Sequence, residues 1–223
     1  MGTIEGYQPS LDANVDGAAP NARALKLYGT TTSPYTRKIR VLARAAGLEV
    51  TFVDTRTDEG AAALARVAPL GKVPVVELPA DPTPHVLPDS GLIAAWLWTR
   101  HAPELRAAGF AVAQDDVWVE RALLVVIEGA LDAAINRFYM LRDKLPDAGY
   151  VTRQRDRVAT ALAWLDTRMP VFARPVSAPA LSLGCALDWM AFRAATDLSR
   201  FPRLVAFREA WTASGVGAGT EPG

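Results

Sequence analysis

The sequence predicts an α/β amino-terminal domain of element order βαβ-ββα followed by an all-α carboxy-terminal domain. Three observations carry that reading. Between positions 25 and 101, short apolar runs bounded by turn residues alternate with helix-period segments. A turn containing Pro79, Pro82 and Pro84 separates the last two apolar runs. Beyond Pro103 and Gly109 the strand signals stop, and Val117, Leu124, Leu131 and Phe138 recur every seven residues.

Residues 1–24 are rich in Gly, Ala, Asn, Asp and Pro without apolar periodicity, which predicts a tail. The fold opens with a strand at 25–28, a helix at 35–46 and an alternating strand at 49–54. Gly47 stands where a left-handed residue would close that helix. This is one βαβ unit, expected to be parallel and right-handed. A helix at 58–67 leads through Pro69 and Gly71 to a strand at 73–78, a short strand at 85–87 and an apolar helix at 90–99. Residues 25–101 therefore form the first domain, 102–113 a linker, 114–214 the helical domain and 215–223 a second tail. In the helical domain Ile127, Ala134 and Leu141 flank the long heptad stripe. A second stripe uses Val158, Leu162, Leu165 and Met169, and a third uses Leu183, Ala186, Leu187, Met190 and Ala194.

Composition narrows the function. Half of the 223 residues are hydrophobic and mean hydropathy is +0.10, which suits a packed chain. With 24 basic and 24 acidic residues the net charge is +0, so no long-range field draws the protein to nucleic acid or an anionic membrane. The scattered arginines read as solvated surface. A single cysteine, Cys185, excludes internal disulfides and a cysteine-pair redox motif. No apolar run approaches a membrane span, and the first residues lack a secretory pattern, so a soluble cytoplasmic protein is expected. His85 and His101 have no metal-ligand spacing, so no metal is expected.

The chemistry sits in three short motifs. Ser33-Pro34-Tyr35-Thr36 lies between the first strand and first helix, continuing to Arg37-Lys38. Pro69-Leu70-Gly71-Lys72-Val73-Pro74-Val75 opens the third strand, and Asp89-Ser90 precedes the third helix. The element order with a proline at the third strand resembles the thioredoxin fold, whose redox proteins carry Cys-Pro-x-Cys where Ser33 and Thr36 stand. The three motifs together resemble the glutathione S-transferase superfamily, especially its bacterial serine-type cytosolic branch. The likeness covers roughly residues 25–211, including the run from Leu181 to Gly184 and Asp188-Trp189. It implies a thioredoxin-like glutathione-binding domain, glutathione as co-substrate, a small apolar electrophile, a role in detoxification and a homodimer. Around the tripeptide it places Thr32, Tyr35, Lys72, Val73 and Pro74, with Asp89 and Ser90 at the γ-glutamyl end. Two departures are Ala68, where the family commonly has Asn, and Cys185, where an Asp usually completes a capping box with Ser182.

Each motif has a physical reading. Ser33 stands at a helix start, where unpaired N–H groups and the helix dipole favour negative charge. A hydroxyl donating to a glutathione sulfur there would lower the thiol's pKa from about 8.5 into the range of roughly 3.5 to 7.5. Capping alone is the structural alternative for Ser33, and Thr31 or Thr32 could supply the hydroxyl instead. Val73-Pro74 resembles the family's cis-proline step, which turns the Val73 backbone outward to pair with an extended peptide; a plain proline at a strand's first residue is the alternative. Ser90 and the adjacent N–H groups offer a carboxylate site, and Asp89 can meet an ammonium. An N-cap without the reciprocal Glu or Gln, since Ile93 stands there, is the alternative. Trp118 and Arg121 lie on the long helix that, by the resemblance, faces the cleft, and are candidates for the electrophile pocket; an aromatic packed in the helical core is the alternative. A glutathione-dependent isomerase or dehalogenase would use the same site. Disulfide reduction is disfavoured without a cysteine at 33 or 36, and a non-catalytic glutathione-binding protein is the rival outside enzymes.

Overall fold

Leu25 and Leu27 in strand β1 (Ala24–Gly29) join the main core, whereas Tyr28 joins a smaller cluster with Leu64, Ala68 and Val75. That alternation is the strand period of two, and it gives the sheet two covered faces. The computed structural model describes residues 23–79, 85–111, 117–145 and 149–223. The expected first tail, the middle of the proline-rich turn and the end of the linker lie largely outside the described residues.

β1 is followed by α1 (Pro34–Ala45), β2 (Glu49–Asp54), α2 (Asp58–Val67), β3 (Val75–Leu78), β4 (His85–Pro88) and α3 (Ser90–Arg100). The sheet order is β2-β1-β3-β4, with β1 and β2 parallel and the other two pairs antiparallel. Gly47 has φ 67° and closes α1, as its position predicts. β3 starts at Val75 rather than 73, because Pro74 has no N–H to give to a ladder. The Val73–Pro74 peptide is cis.

The stretch expected as a linker is more ordered than its composition suggests. It holds a short helix, α4 (Ala102–Ala107), and then a bridge in which the Ala111 N–H donates to Val176 O and the Val176 N–H to Gly109 O, both at 2.9 Å. The helical part comprises α5 (Val117–Arg142), α6 (Gly149–Arg168), α7 (Ala178–Phe192) and α8 (Pro202–Ala213), with a 3-10 turn at Leu198–Arg200. α7 starts well before Ser182. Ser177 is its N-cap, accepting from the Ala180 N–H at 3.3 Å, and Ser182 is buried mid-helix, so no capping box at Ser182 is required. Ala194, the last residue of the third stripe, lies beyond the helix at φ 46°.

Residues 215–223 do not behave as the loose tail their composition predicts. Arg37, Arg40 and Arg44, one turn apart on α1, reach this segment. Arg37 Nε donates to Thr220 Oγ1 at 3.2 Å, Arg40 Nη2 to Gly219 O at 3.3 Å and Arg44 Nη2 to Val216 O at 2.6 Å. Val216 and Thr220 are buried. Arg37, one of the arginines that read as surface, is internal at 3% exposed. Its Nη1 donates to Asp188 Oδ2 at 2.7 Å across the boundary between the two parts. Asp188 also accepts from Arg208 Nε at 2.8 Å and Trp211 Nε1 at 3.0 Å. Gly184 lets α7 and α8 approach at this point, because a Cβ there would collide with the Trp211 ring.

Candidate functional site

Pro34 at the first position of α1 gives up an N–H that would have no helical partner. Ser33, just before it, is the N-cap and accepts from the Thr36 N–H at 3.2 Å. A hydroxyl that accepts one hydrogen bond keeps its own proton to donate, so the cap leaves the Ser33 proton available. Ser33 lines a cleft of about 680 Å³. Its far wall, from α5 and α7, is largely apolar and aromatic: Ile135, Phe138, Tyr139 and Trp189. Phe138 and Trp189 meet edge to face with centroids 5.8 Å apart.

The threonines before Ser33 separate. Thr32 lines the cleft, its Oγ1 3.3 Å from that of Thr30. Thr31 does not line it, and its hydroxyl donates to the Gly223 carbonyl. Thr36, in the place of a second redox cysteine, is buried and outside the cleft.

A groove of about 210 Å³ continues from the cleft, sharing Tyr35, Lys72, Val73 and Asp132 with it and adding Pro74, Asp89 and Ser90. The three sequence motifs therefore converge on one continuous depression. Asp89, not Ser90, caps α3. Its Oδ1 accepts from the N–H groups of Gly91 at 2.7 Å and Leu92 at 3.2 Å. Asp89 has φ 76°, a backbone state that costs a non-glycine residue about 1–3 kcal/mol and is offset here by the two caps. Ser90 is the first helical residue and is 5% exposed, inside the groove.

Two carboxylates of this depression, Asp132 and Glu128, come from α5 and were not expected. The Tyr35 hydroxyl donates to Asp132, and burial first, then that bond, raise the phenol far above its ordinary range, so it stays protonated. One helical turn earlier Glu128 accepts from Lys38 Nζ at 2.7 Å. Arg37 and Lys38 of the first motif thus anchor α1 to α7 and α5 rather than lining the cleft. The signal for α5 was present as Asp132, Asn136 and Tyr139, polar residues spaced four and three along an apolar helix.

Trp118 and Arg121, expected near the electrophile pocket, line neither cavity. They sit in the first turns of α5, with the Arg121 guanidinium 5.5 Å from the Trp118 ring, and Trp118 is 76% exposed. At 1.5 Å per residue, Trp118 lies about 21 Å along the axis from Asp132. Cys185 is buried, and burial pushes its thiol up to about 12, leaving it protonated and unreactive. His101 packs edge to face on Trp96, and burial lowers its pKa. Among the described residues no group of three or more His, Cys, Asp and Glu could hold a metal ion.

Residues 27–105 match the glutathione S-transferase amino-terminal domain. The amino-terminal part thus matches the glutathione S-transferase domain, and the chain is similar over both of its parts to solved glutathione S-transferases. Solved transferase structures superpose on both of its parts. A glutathione S-transferase from Methylobacillus flagellatus KT with glutathione bound is 26% identical at TM-score 0.75, over 89% of this chain and 100% of that one. A glutathione transferase family member from Pseudomonas fluorescens Pf-5 with bound glutathione is 25% identical at TM-score 0.71, over 89% and 99%. A maleylacetoacetate isomerase from Anaeromyxobacter dehalogenans 2CP-1, with glutathione in its active site, is 25% identical at TM-score 0.64, over 89% and 95%. A comparison with curated proteins finds no match. Among the described residues no helix of this transferase fold is long and apolar enough to cross a membrane.

Proposed function

We propose that the protein is a glutathione S-transferase in which Ser33 stabilises the thiolate of bound glutathione for attack on a small electrophile. The observation that supports this best is the placement of the Ser33 hydroxyl. It caps α1 with its proton free, at a cleft that runs into a groove bearing Val73, Asp89 and Ser90. Glutathione would lie along that groove, its cysteinyl backbone paired with Val73 and its γ-glutamyl carboxylate at Ser90. Asp89 spends its Oδ1 on capping, which leaves Oδ2 for the ammonium. Tyr35, Lys72 and Pro74 would complete the groove, and Thr32 would stand beside the sulfur. The helix start and the Ser33 hydrogen bond lower the thiol's pKa, its proton passes to solvent, and the sulfur displaces a leaving group that departs with its electron pair. Holding both reactants in one depression supplies the rest of the acceleration.

A second reading, a glutathione-dependent isomerase, is favoured by the likeness to the Anaeromyxobacter enzyme; there the sulfur would add and leave again, with no net conjugate. Two measurements test the proposal. Retention on immobilised glutathione tests binding, and turnover of a chlorinated aromatic tests conjugation. Retention without any turnover would leave a binding protein, and no retention would remove the glutathione reading. The same proposal includes a cytoplasmic homodimer associating through the apolar α3. Light scattering at micromolar concentration should give twice the chain mass, and one-chain mass would reject it.

A further inference from the structure

We infer that the second substrate of this site carries a carboxylate or a comparable anionic group, and that Arg193 receives it. The inference rests on the glutathione reading above. Four cationic side chains line the 680 Å³ cleft: Arg56, Lys72, Arg142 and Arg193. Among the described residues the lining has one carboxylate, Asp132, which accepts from the Tyr35 hydroxyl. Two of the four cations are matched by neighbours. Arg56 is bonded by Nε and Nη2 to Asp54, at 2.7 Å for the shorter contact, and Arg142 Nε donates to Asp143 at 2.8 Å. Lys72 belongs to the stretch shared with the groove and is assigned to glutathione.

Arg193 has no such match. It follows the last residue of α7, half-buried, with its guanidinium 5.1 Å from the Phe138 ring centroid and 4.6 Å from that of Phe192. Among the described residues its buried Nε has no hydrogen-bond acceptor and no carboxylate pairs with it. A guanidinium kept partly from water with neither a counter-charge nor a full set of acceptors is costly. Two rings and the partial negative end of α7 compensate it only in part. Of these two rings Phe138, which meets Trp189 edge to face, belongs to the apolar wall of the cleft. A flat apolar body lying against that wall would bring an attached carboxylate to the open side of the Arg193 fork, where a bidentate pair can form. Arg193 is then a specificity-determining residue that touches the acceptor but not the reacting atoms.

The test uses two glutathione conjugates that fill both cavities and differ only in charge, S-(4-carboxybenzyl)glutathione and S-(4-carbamoylbenzyl)glutathione, with binding measured by calorimetry. The unaltered protein should prefer the carboxylate by about tenfold or more, the value of one charge-assisted hydrogen bond. Arg193→Gln should remove that preference while leaving the affinity for the amide within about twofold. Arg142→Gln, whose arginine is already paired, should keep it. Equal affinity of the unaltered protein for both conjugates overturns the inference while the glutathione reading stands, and needs no variant. A preference that survives Arg193→Gln, or disappears with Arg142→Gln instead, also overturns it. Failure of both conjugates and of glutathione itself to bind overturns the glutathione reading and the inference together.

Discussion

The two sides of α1 do opposite things with polar groups. On the flank facing α7 and residues 215–223, each guanidinium nitrogen of Arg37 has a partner within the protein: Nη1 donates to Asp188, Nε to Thr220 and Nη2 to the Gly217 carbonyl. At the amino-terminal end, the Ser33 hydroxyl accepts one bond and keeps its proton unspent toward an open cleft. A saturated network holds the fold, and an unsaturated group beside a cavity is what a ligand can use. The difference lies in commitment rather than in residue type, since Arg37 and Arg193 carry the same charge to opposite ends.

Asp188→Ala should break the committed side most. It leaves Arg37 buried without its counter-ion and strips Arg208 and Trp211 of an acceptor, so stability should fall by about 3–5 kcal/mol. Urea unfolding reads this directly, and a loss below about 1 kcal/mol would mean the network contributes no more than a surface pair. On the other side, Ser90→Ala should weaken glutathione binding by about 1.5–3 kcal/mol with the melting temperature unchanged, because Asp89 carries the cap. Calorimetry decides, and unchanged affinity would return Ser90 to a packing role.

Ser33→Ala should leave affinity near normal but raise the pKa of the bound thiol by about one unit or more, each unit being about 1.36 kcal/mol. The ultraviolet absorbance of the thiolate, titrated with pH, measures it. If Thr32→Ala shifts that curve and Ser33→Ala does not, the role passes to Thr32; Thr31→Ala should be silent. The smallest effect concerns His101, whose pKa burial holds below 6.5. The folded state then binds the proton less readily than the unfolded one. Stability is therefore full above 6.5 and declines as pH falls through the folded value. His101→Phe should flatten the melting temperature between pH 7.5 and 5.5, and an equally steep slope would clear His101 of it.

Where local rules and tertiary packing agreed, the sequence could be read to the residue. β2 runs from Glu49 to Asp54 and α2 from Asp58 to Val67 as expected, because alternation defines the strand and Thr57, Asp58 and Glu59 write a helix start. The cluster of Ser33, Val73 and Ser90 was legible through motifs whose backbone duties are local. The packing of residues 215–223 was not, since carbonyls taking arginine donors leave no periodicity. α8 was passed over although Pro202 at its start and Leu204, Phe207 and Trp211 follow helical spacing. Trp118 was drawn toward the cleft by its place on the long helix, when its distance along α5 decides against it.

Asp188 joins a residue of the sheet-bearing part to two residues of α8, so the chain's two architectures share one electrostatic seam. That constrains recombination. A chimera joined between α4 and α5, with the second part taken from a relative lacking an acid at this position, would inherit an arginine with no counter-ion at the seam. The two halves are modular in shape but matched as a pair, and a successful exchange has to carry Arg37 and Asp188 across together.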